Sequence, residues 1–114
     1  MAAVNMNSEK FYEMIRGEKP VLVDFWAPWC GYCRRIAPAY DKIAQQMAGE
    51  MVVAKLNIDE VPLVAHQEQI EVIPTLVLYR GGEVLGSIVA PESKARIEQF
   101  IEESLVYGGR GNDP

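Results

Sequence analysis

Apolar and polar residues form two kinds of pattern along this chain of 114 residues, one typical of helices and one typical of strands. Three stretches place apolar residues every three to four positions, which predicts amphipathic helices. They run from Asn7-Ser8 to Gly17, from Cys33 to about Gly49, and from Glu92 to about Tyr107. A shorter helix is expected from Asp59 or Glu60 to Gln69. Its Pro62 does not exclude this helix, because proline is tolerated in a first turn.

Continuous apolar runs between these helices predict the strands. Val21–Trp26 is too evenly apolar for a half-exposed strand and is typical of a central strand covered on both faces. Met51–Ile58 forms a second strand, and Thr75–Arg80 and Glu83–Val89 flank a Gly81-Gly82 pair that suits a hairpin turn. The first two strands are joined through a helix and so run parallel, whereas the hairpin is antiparallel. The sequence therefore predicts an α/β protein with a central mixed β-sheet flanked by helices on both faces.

The length of the chain suits one domain, expected over residues 1–107, followed by a polar, glycine-rich tail over residues 108–114 that we expect to fray. The net charge is −5, with 16 acidic and 11 basic residues. Nucleic acid and anionic membranes both require basic patches, so this charge argues against either as a partner. No uncovered apolar stripe is evident, and we therefore expect a monomer.

The cysteine count and the N-terminal residues bear on the compartment. Two cysteines are too few for a disulfide-stapled secreted domain. No apolar run approaches the roughly 18 residues of a membrane span. The first ten residues lack the basic and apolar regions of a secretory signal. A cytoplasmic protein is therefore expected.

Both cysteines lie in Trp29-Cys30-Gly31-Tyr32-Cys33, between an apolar strand and an amphipathic helix. Thiols at this spacing close a small reversible disulfide, and a helix N-terminus stabilises the reactive thiolate. Cys30 is then the expected nucleophile, and Cys33 the residue that resolves the mixed disulfide. A structural disulfide and a zinc site are the alternatives. The first would close a loop too small to contribute much entropy, and the second would have only His66 as a further ligand.

An acidic residue and a proline complete the candidate site. Asp24 interrupts the apolar strand, so it is expected to be buried and to exchange a proton with Cys33. Pairing with Lys55, at the analogous place in the next strand, would tune that acid. The proline of Ile73-Pro74 heads a strand, where a trans bond is the ordinary expectation, because only about 5% of X–Pro bonds are cis. A cis bond would instead expose the Ile73 backbone to an extended peptide.

The aromatic residues near the cysteines divide between the core and the surface. Trp26 is expected in the core or lining it beneath the cysteines. Trp29 and Tyr32 are expected to be partly exposed, where they would form a contact surface for a peptide.

Several motifs, in order and at matching spacing over residues 4–106, strongly resemble the thioredoxin family. They are Trp26–Arg34 with Asp24 before it and Pro38 after it, then Val53–Asp59, Ile73–Leu76 and Gly82–Val84. The resemblance implies the thioredoxin fold and a cis Ile73–Pro74 bond. It also implies reduction of protein disulfides by Cys30 and Cys33, with no bound cofactor or metal.

The same resemblance implies roles for further residues and for partners. Asp24 and Lys55 would assist proton transfer at Cys33. Trp29, Gly31, Tyr32, Ile73, Pro74 and Ala90 would form the substrate-binding surface. Disulfide-containing proteins would be the substrates, and a thioredoxin reductase would regenerate the dithiol, either an NADPH-dependent flavoprotein or a ferredoxin-linked enzyme.

Two positions depart from the family pattern. Tyr32 stands where thioredoxins usually have proline, and Ala90 stands where glycine is common in the loop before the last helix. The lost proline removes a restraint beside Cys30, so we expect a less reducing potential than the usual value of about −270 mV. A specialised oxidant, isomerase or dedicated electron carrier is therefore the alternative to a general reductase. A non-catalytic binding module is a further alternative, although such a module would need no dithiol.

Overall fold

The structure, a computed structural model, describes residues 2–108 of the chain. Along this range helices and strands alternate up to a final hairpin and helix. In chain order the elements are β1 (Val4–Asn5), α1 (Ser8–Ile15), β2 (Val21–Trp26), α2 (Gly31–Gln46), β3 (Val52–Asn57), α3 (Pro62–Gln67), β4 (Thr75–Arg80), β5 (Glu83–Val89) and α4 (Lys94–Tyr107).

The strands form one sheet in the spatial order β1-β3-β2-β4-β5. The pairs β1/β3 and β3/β2 are parallel, whereas β2/β4 and β4/β5 are antiparallel. The direction of the sheet therefore changes at its central strand, β2. Because β4 runs opposite to β2, the start of β4 lies beside the end of β2, where the cysteine segment follows. This confirms the predicted mixed sheet and parallel β2–β3 pair.

Helices cover both faces of the sheet, and the alternation along β2 divides the core between them. Leu22 packs with residues of α2 and α4, including Tyr40 and Phe100. Val21, Val23 and Phe25 face the opposite side and pack with residues of α1 and α3. Within residues 2–108, no helix is both long and apolar enough to cross a bilayer.

The observed elements differ from the prediction mainly at their ends. The strand β1 was not predicted; it is two exposed residues long and pairs with Ala54 and Lys55 at the sheet edge. The helix α2 begins at Gly31 rather than Cys33, because Cys30 caps it, and it stops at Gln46 before Gly49, whose φ of 87° is left-handed. The strand β1, with its two residues, is too short to show any hydrophobic periodicity.

The remaining boundaries moved inward by a few residues. β3 spans Val52–Asn57 rather than residues 51–58, and α3 begins only at Pro62, its first helical position. α4 begins at Lys94, since the Ser93 hydroxyl accepts a hydrogen bond from the Arg96 N–H and caps the helix there. The predicted frayed tail lies outside the described residues, apart from Gly108.

Candidate active site

Cys30 and Cys33 form a disulfide at the N-terminus of α2. Cys30 is the N-cap residue, with extended backbone angles, and its Sγ accepts a hydrogen bond of 3.1 Å from the Cys33 N–H. Cys30 is 8% exposed and Cys33 is 3% exposed, so an approaching molecule reaches Cys30 first. The local sequence explains this placement, because Pro28 ends the strand and the helix begins three residues later.

The start of α2 favours a negatively charged sulfur at Cys30. Backbone N–H groups of the first helical turn have no partner within the helix, and the helix dipole adds positive potential there. In the reduced protein, these groups stabilise a thiolate on the sulfur that caps the helix. The same N–H of Cys33 that now contacts the disulfide would then donate to that thiolate.

Asp24 lies on the face of β2 that α2 covers, since it shares the alternation of Leu22. The side chain is 2% exposed, and its Oδ1 has no hydrogen-bond partner within residues 2–108. Burial raises the pKa of Asp24 from 3.8 to about 7, against a smaller opposing effect of the Lys55 charge. The carboxyl therefore changes its protonation state near neutral pH.

Lys55 is the register partner of Asp24 on β3, so both side chains emerge on the same face of the sheet. Its Nζ lies 4.3 Å from the centroid of the Trp26 ring, a cation–π contact. The ion pairs found within residues 2–108 do not include one between Lys55 and Asp24. The Lys55 charge therefore lowers the pKa of Asp24 without a direct ion pair, and its ammonium group lies against the ring of the half-buried Trp26.

The peptide bond between Ile73 and Pro74 is cis, as the resemblance implies and against the ordinary expectation for an X–Pro bond. The Ile73 carbonyl oxygen lies 3.9 Å from Cys30 Sγ. Pro74 is buried, and its carbonyl accepts a hydrogen bond of 2.9 Å from the Ala90 N–H. Three segments therefore meet at the cysteines: the start of α2, residues 73–74, and the loop after β5.

The other residues predicted to contact a peptide lie around this junction and are accessible. Trp29 is 65% exposed, and its Nε1–H donates a hydrogen bond of 3.0 Å to Asp59 Oδ2. Gly31 and Ala90 are also exposed. Ala90 has a φ of 46°, in the left-handed region that glycine adopts at less cost, which accounts physically for the family's preference at this position.

Tyr32 makes contacts that sequence reasoning did not foresee. Its ring is half-buried against the core under α2, and the Arg35 guanidinium carbon lies 5.8 Å from the ring centroid. Its hydroxyl donates a hydrogen bond of 2.9 Å to the carbonyl of Pro91, 59 residues away. A tyrosine between two cysteines gave no signal for this partner, because the loop after β5 is remote in sequence.

Tyr40 was also missed as a contributor to the architecture around Asp24. Its buried hydroxyl donates to the carbonyls of Ala54, at 2.5 Å, and Leu22, at 3.2 Å, and so ties α2 to both parallel strands. The signal was present in the sequence, since a tyrosine at a core position of a helix needs a partner for its hydroxyl.

The zinc alternative finds no further ligands in the described part of the chain. Across residues 2–108, no group of three or more histidine, cysteine or acidic side chains is placed to hold a metal ion. His66 lies on the exposed face of α3.

Comparisons with known proteins agree with this geometry. The profile of the family described as Thioredoxin matches residues 2–103. The chain is 45% identical over 105 residues to Thioredoxin 1 of Nostoc sp., which covers 91% of this chain and 98% of the relative. It is 40% identical over 104 residues to Thioredoxin of Alicyclobacillus acidocaldarius, covering 91% and 99%. Thioredoxin M-type, chloroplastic, of Spinacia oleracea is 43% identical over 102 residues, covering 90% and 56%. The chain belongs to the thioredoxin family.

Proposed function

We propose that the protein acts as a general reductase of protein disulfides through Cys30 and Cys33. Family membership and the Cys30–Cys33 disulfide make it a thiol–disulfide oxidoreductase. The observation that carries the general reductase role is the position of this disulfide, at a helix N-terminus and beside the Ile73 backbone.

Cys30 is the nucleophile and Cys33 the resolving residue in this proposal. The Cys30 thiolate attacks one sulfur of a substrate disulfide, which forms a mixed disulfide and releases the other sulfur as a thiolate. The Cys33 thiolate then attacks Cys30 Sγ, which closes the Cys30–Cys33 disulfide and releases the second substrate thiol. The substrate gains two electrons and the cysteine pair loses them. The helix-capping position and greater exposure of Cys30 support this order.

Asp24 takes the proton of Cys33 during the second step and returns it when the disulfide is reduced again. A pKa of about 7 suits both directions at neutral pH, because neither the acid nor the base form is strongly favoured. Lys55 keeps that pKa from rising further and so positions the acid electrostatically.

A substrate peptide docks in extended form against Ile73, whose backbone N–H and carbonyl have no backbone partner within residues 2–108. Pro74 shapes this edge, and Trp29, Gly31, Tyr32 and Ala90 form the surrounding surface. The exposure of Trp29, Gly31 and Ala90 and the proximity of Ile73 to Cys30 Sγ support this assignment.

Disulfide-containing proteins and a thioredoxin reductase are the partners in this scheme, and the protein works as a monomeric electron carrier. The reductase uses NADPH and flavin, or receives electrons from ferredoxin. We place the protein in the cytoplasm, where a dithiol is kept reduced. Since the spinach relative is named chloroplastic, fractionation of the source cells must distinguish cytosol from plastid.

Trapping experiments test the two cysteine roles. Cys33→Ser should accumulate a mixed disulfide between Cys30 and a substrate, because nothing remains to resolve it. Cys30→Ser is the matched control and should trap little. Equal trapping by both variants would contradict the assigned order. Reduction of insulin disulfides, driven by NADPH or ferredoxin with each reductase, tests the activity itself, and no turnover with either would reject the general role.

The redox potential tests the consequence of Tyr32. We expect a value above the roughly −270 mV of a usual thioredoxin, and Tyr32→Pro should lower it. Titration against glutathione measures both proteins. An equal or lower potential in the parent protein would contradict the expectation, whereas a strongly oxidising one, with poor insulin reduction, would favour a specialised oxidant or isomerase.

A further inference from the structure

The Tyr32 hydroxyl joins two of the three segments that surround the cysteines. The residue lies between Cys30 and Cys33, and its hydroxyl donates to the Pro91 carbonyl at 2.9 Å. Pro91 itself is buried, and the Tyr32 ring packs against the core between the sheet and the helices α2 and α4. The bond therefore links the redox turn to the loop between β5 and α4.

At positions 90 and 91 of this loop, few backbone groups are free to form hydrogen bonds with an incoming peptide. The Ala90 N–H is already bonded to the Pro74 carbonyl, Pro91 has no N–H, and the Pro91 carbonyl accepts from Tyr32. Of the polar backbone groups at positions 90 and 91, the Ala90 carbonyl alone has no partner within residues 2–108. On the other side of Cys30, both backbone groups of Ile73 remain without a backbone partner in that range.

We propose that Tyr32 is a specificity-determining residue that withholds the Pro91 carbonyl from substrates, so that a peptide is held by its backbone on the Ile73 side. This inference rests on the proposed function and adds to it a rule of recognition. On the other side of Cys30, the substrate binds through contacts between its side chains and the Tyr32 ring. A small disulfide makes no backbone hydrogen bonds with the protein, so the hydrogen bond from Tyr32 to Pro91 does not affect how it is recognised.

Tyr32→Phe tests the proposal because it removes only the hydroxyl. Removing the hydroxyl frees the Pro91 carbonyl, whose hydrogen bond to Tyr32 is only partly buried, so an incoming peptide N–H replaces the lost donor. The reduced variant should therefore need about fivefold less insulin for half-maximal rate, with a maximal rate unchanged within twofold. Any change in its rate constant with 5,5′-dithiobis(2-nitrobenzoic acid) should be smaller than the change with insulin. Fivefold corresponds to about 1 kcal/mol.

Tyr107→Phe is the matched control, since Tyr107 is exposed at the far end of α4 and should leave both reactions unchanged. The Glu92 amide shares a peptide group with the Pro91 carbonyl, so its NMR resonance should move in Tyr32→Phe and not in the control. An unmoved Glu92 resonance overturns the hydrogen bond. Equal changes with insulin and the small disulfide, or no change with either, overturn the recognition role. If the parent protein reduces neither disulfide, the proposed function itself fails.

Discussion

Replacing Asp24 by asparagine should stabilise the protein, and the gain should grow with pH. The carboxyl is buried, and burial raises its pKa from 3.8 to about 7, with Lys55 opposing the shift. In the unfolded chain it ionises near 3.9. Between these values the unfolded chain has released a proton that the folded protein keeps, so a rising pH favours unfolding. The stability that protonated Asp24 contributes is fully present below its unfolded pKa of about 3.9, and it is lost as the pH rises through its folded pKa of about 7.

The size of the effect follows from the two pKa values. A shift of about three units, at about 1.36 kcal/mol each, makes ionised Asp24 cost roughly 4 kcal/mol in the folded protein. The loss is roughly 1.5 kcal/mol at pH 5, where the folded protein still keeps its proton, and roughly 4 kcal/mol at pH 8. Asparagine has a similar shape and no charge. Its advantage should therefore increase by roughly 2.5 kcal/mol between pH 5 and pH 8.

Urea unfolding of the oxidised proteins at pH 5, 6.5 and 8 measures this difference, provided that the slope against urea stays the same. Glu50→Gln removes an exposed negative charge and controls for net charge, with an expected change of less than about 0.5 kcal/mol. The reasoning is refuted if the advantage of Asp24→Asn is the same at pH 5 and pH 8, because the Asp24 pKa would then not be raised in the folded protein.

Three further changes follow from the same structure. Lys55→Gln should raise the pKa of Asp24 further, since the opposing charge is lost; a carboxyl ¹³C titration with an unchanged or lower midpoint would contradict this. Ala90→Gly should raise the free energy of unfolding by about 0.5–1 kcal/mol, because relief of the left-handed backbone exceeds the added entropy of the unfolded chain; thermal unfolding with no gain would refute it. Gly86→Ala should destabilise by about 1–3 kcal/mol, since its Cβ would lie 2.5 Å from Ser104 Oγ, and adding Ser104→Ala should restore part of the loss in a double-mutant cycle.

Much of the fold was predictable because its signals are local. The even apolar run around Asp24 requires cover on both faces, and the Gly81-Gly82 pair, with φ of 62° and 80°, supports the hairpin turn that joins β4 and β5. Helix ends were less accurate, since capping by Cys30 and Ser93 decided them. The edge strand β1 has only two residues and is extended because it pairs with β3, so nothing in its own sequence identifies it.

The sequence was enough to choose candidate residues for the site but not to foresee their contacts. The spacing of the cysteines and the carboxylate in an apolar strand made Cys30, Cys33 and Asp24 the candidates for catalysis, and the structure shows the first two joined in a disulfide. The cation–π contact of Lys55 and the hydrogen bond from Tyr32 to the Pro91 carbonyl depend on where β3 and the loop after β5 arrive in space. Such long-range contacts leave no pattern in neighbouring residues, so the sequence alone does not reveal them.

The reversal of strand direction at β2 has a consequence for the chain while it folds. Cys30 and Ile73 are 43 positions apart and meet only when β4 docks against β2, a closure that costs chain entropy before any contact repays it. A nascent or partly unfolded chain therefore carries both cysteines before the edge at Ile73 has formed beside them. The two cysteines come from one short segment, whereas their position beside Ile73 is a property of the completed sheet.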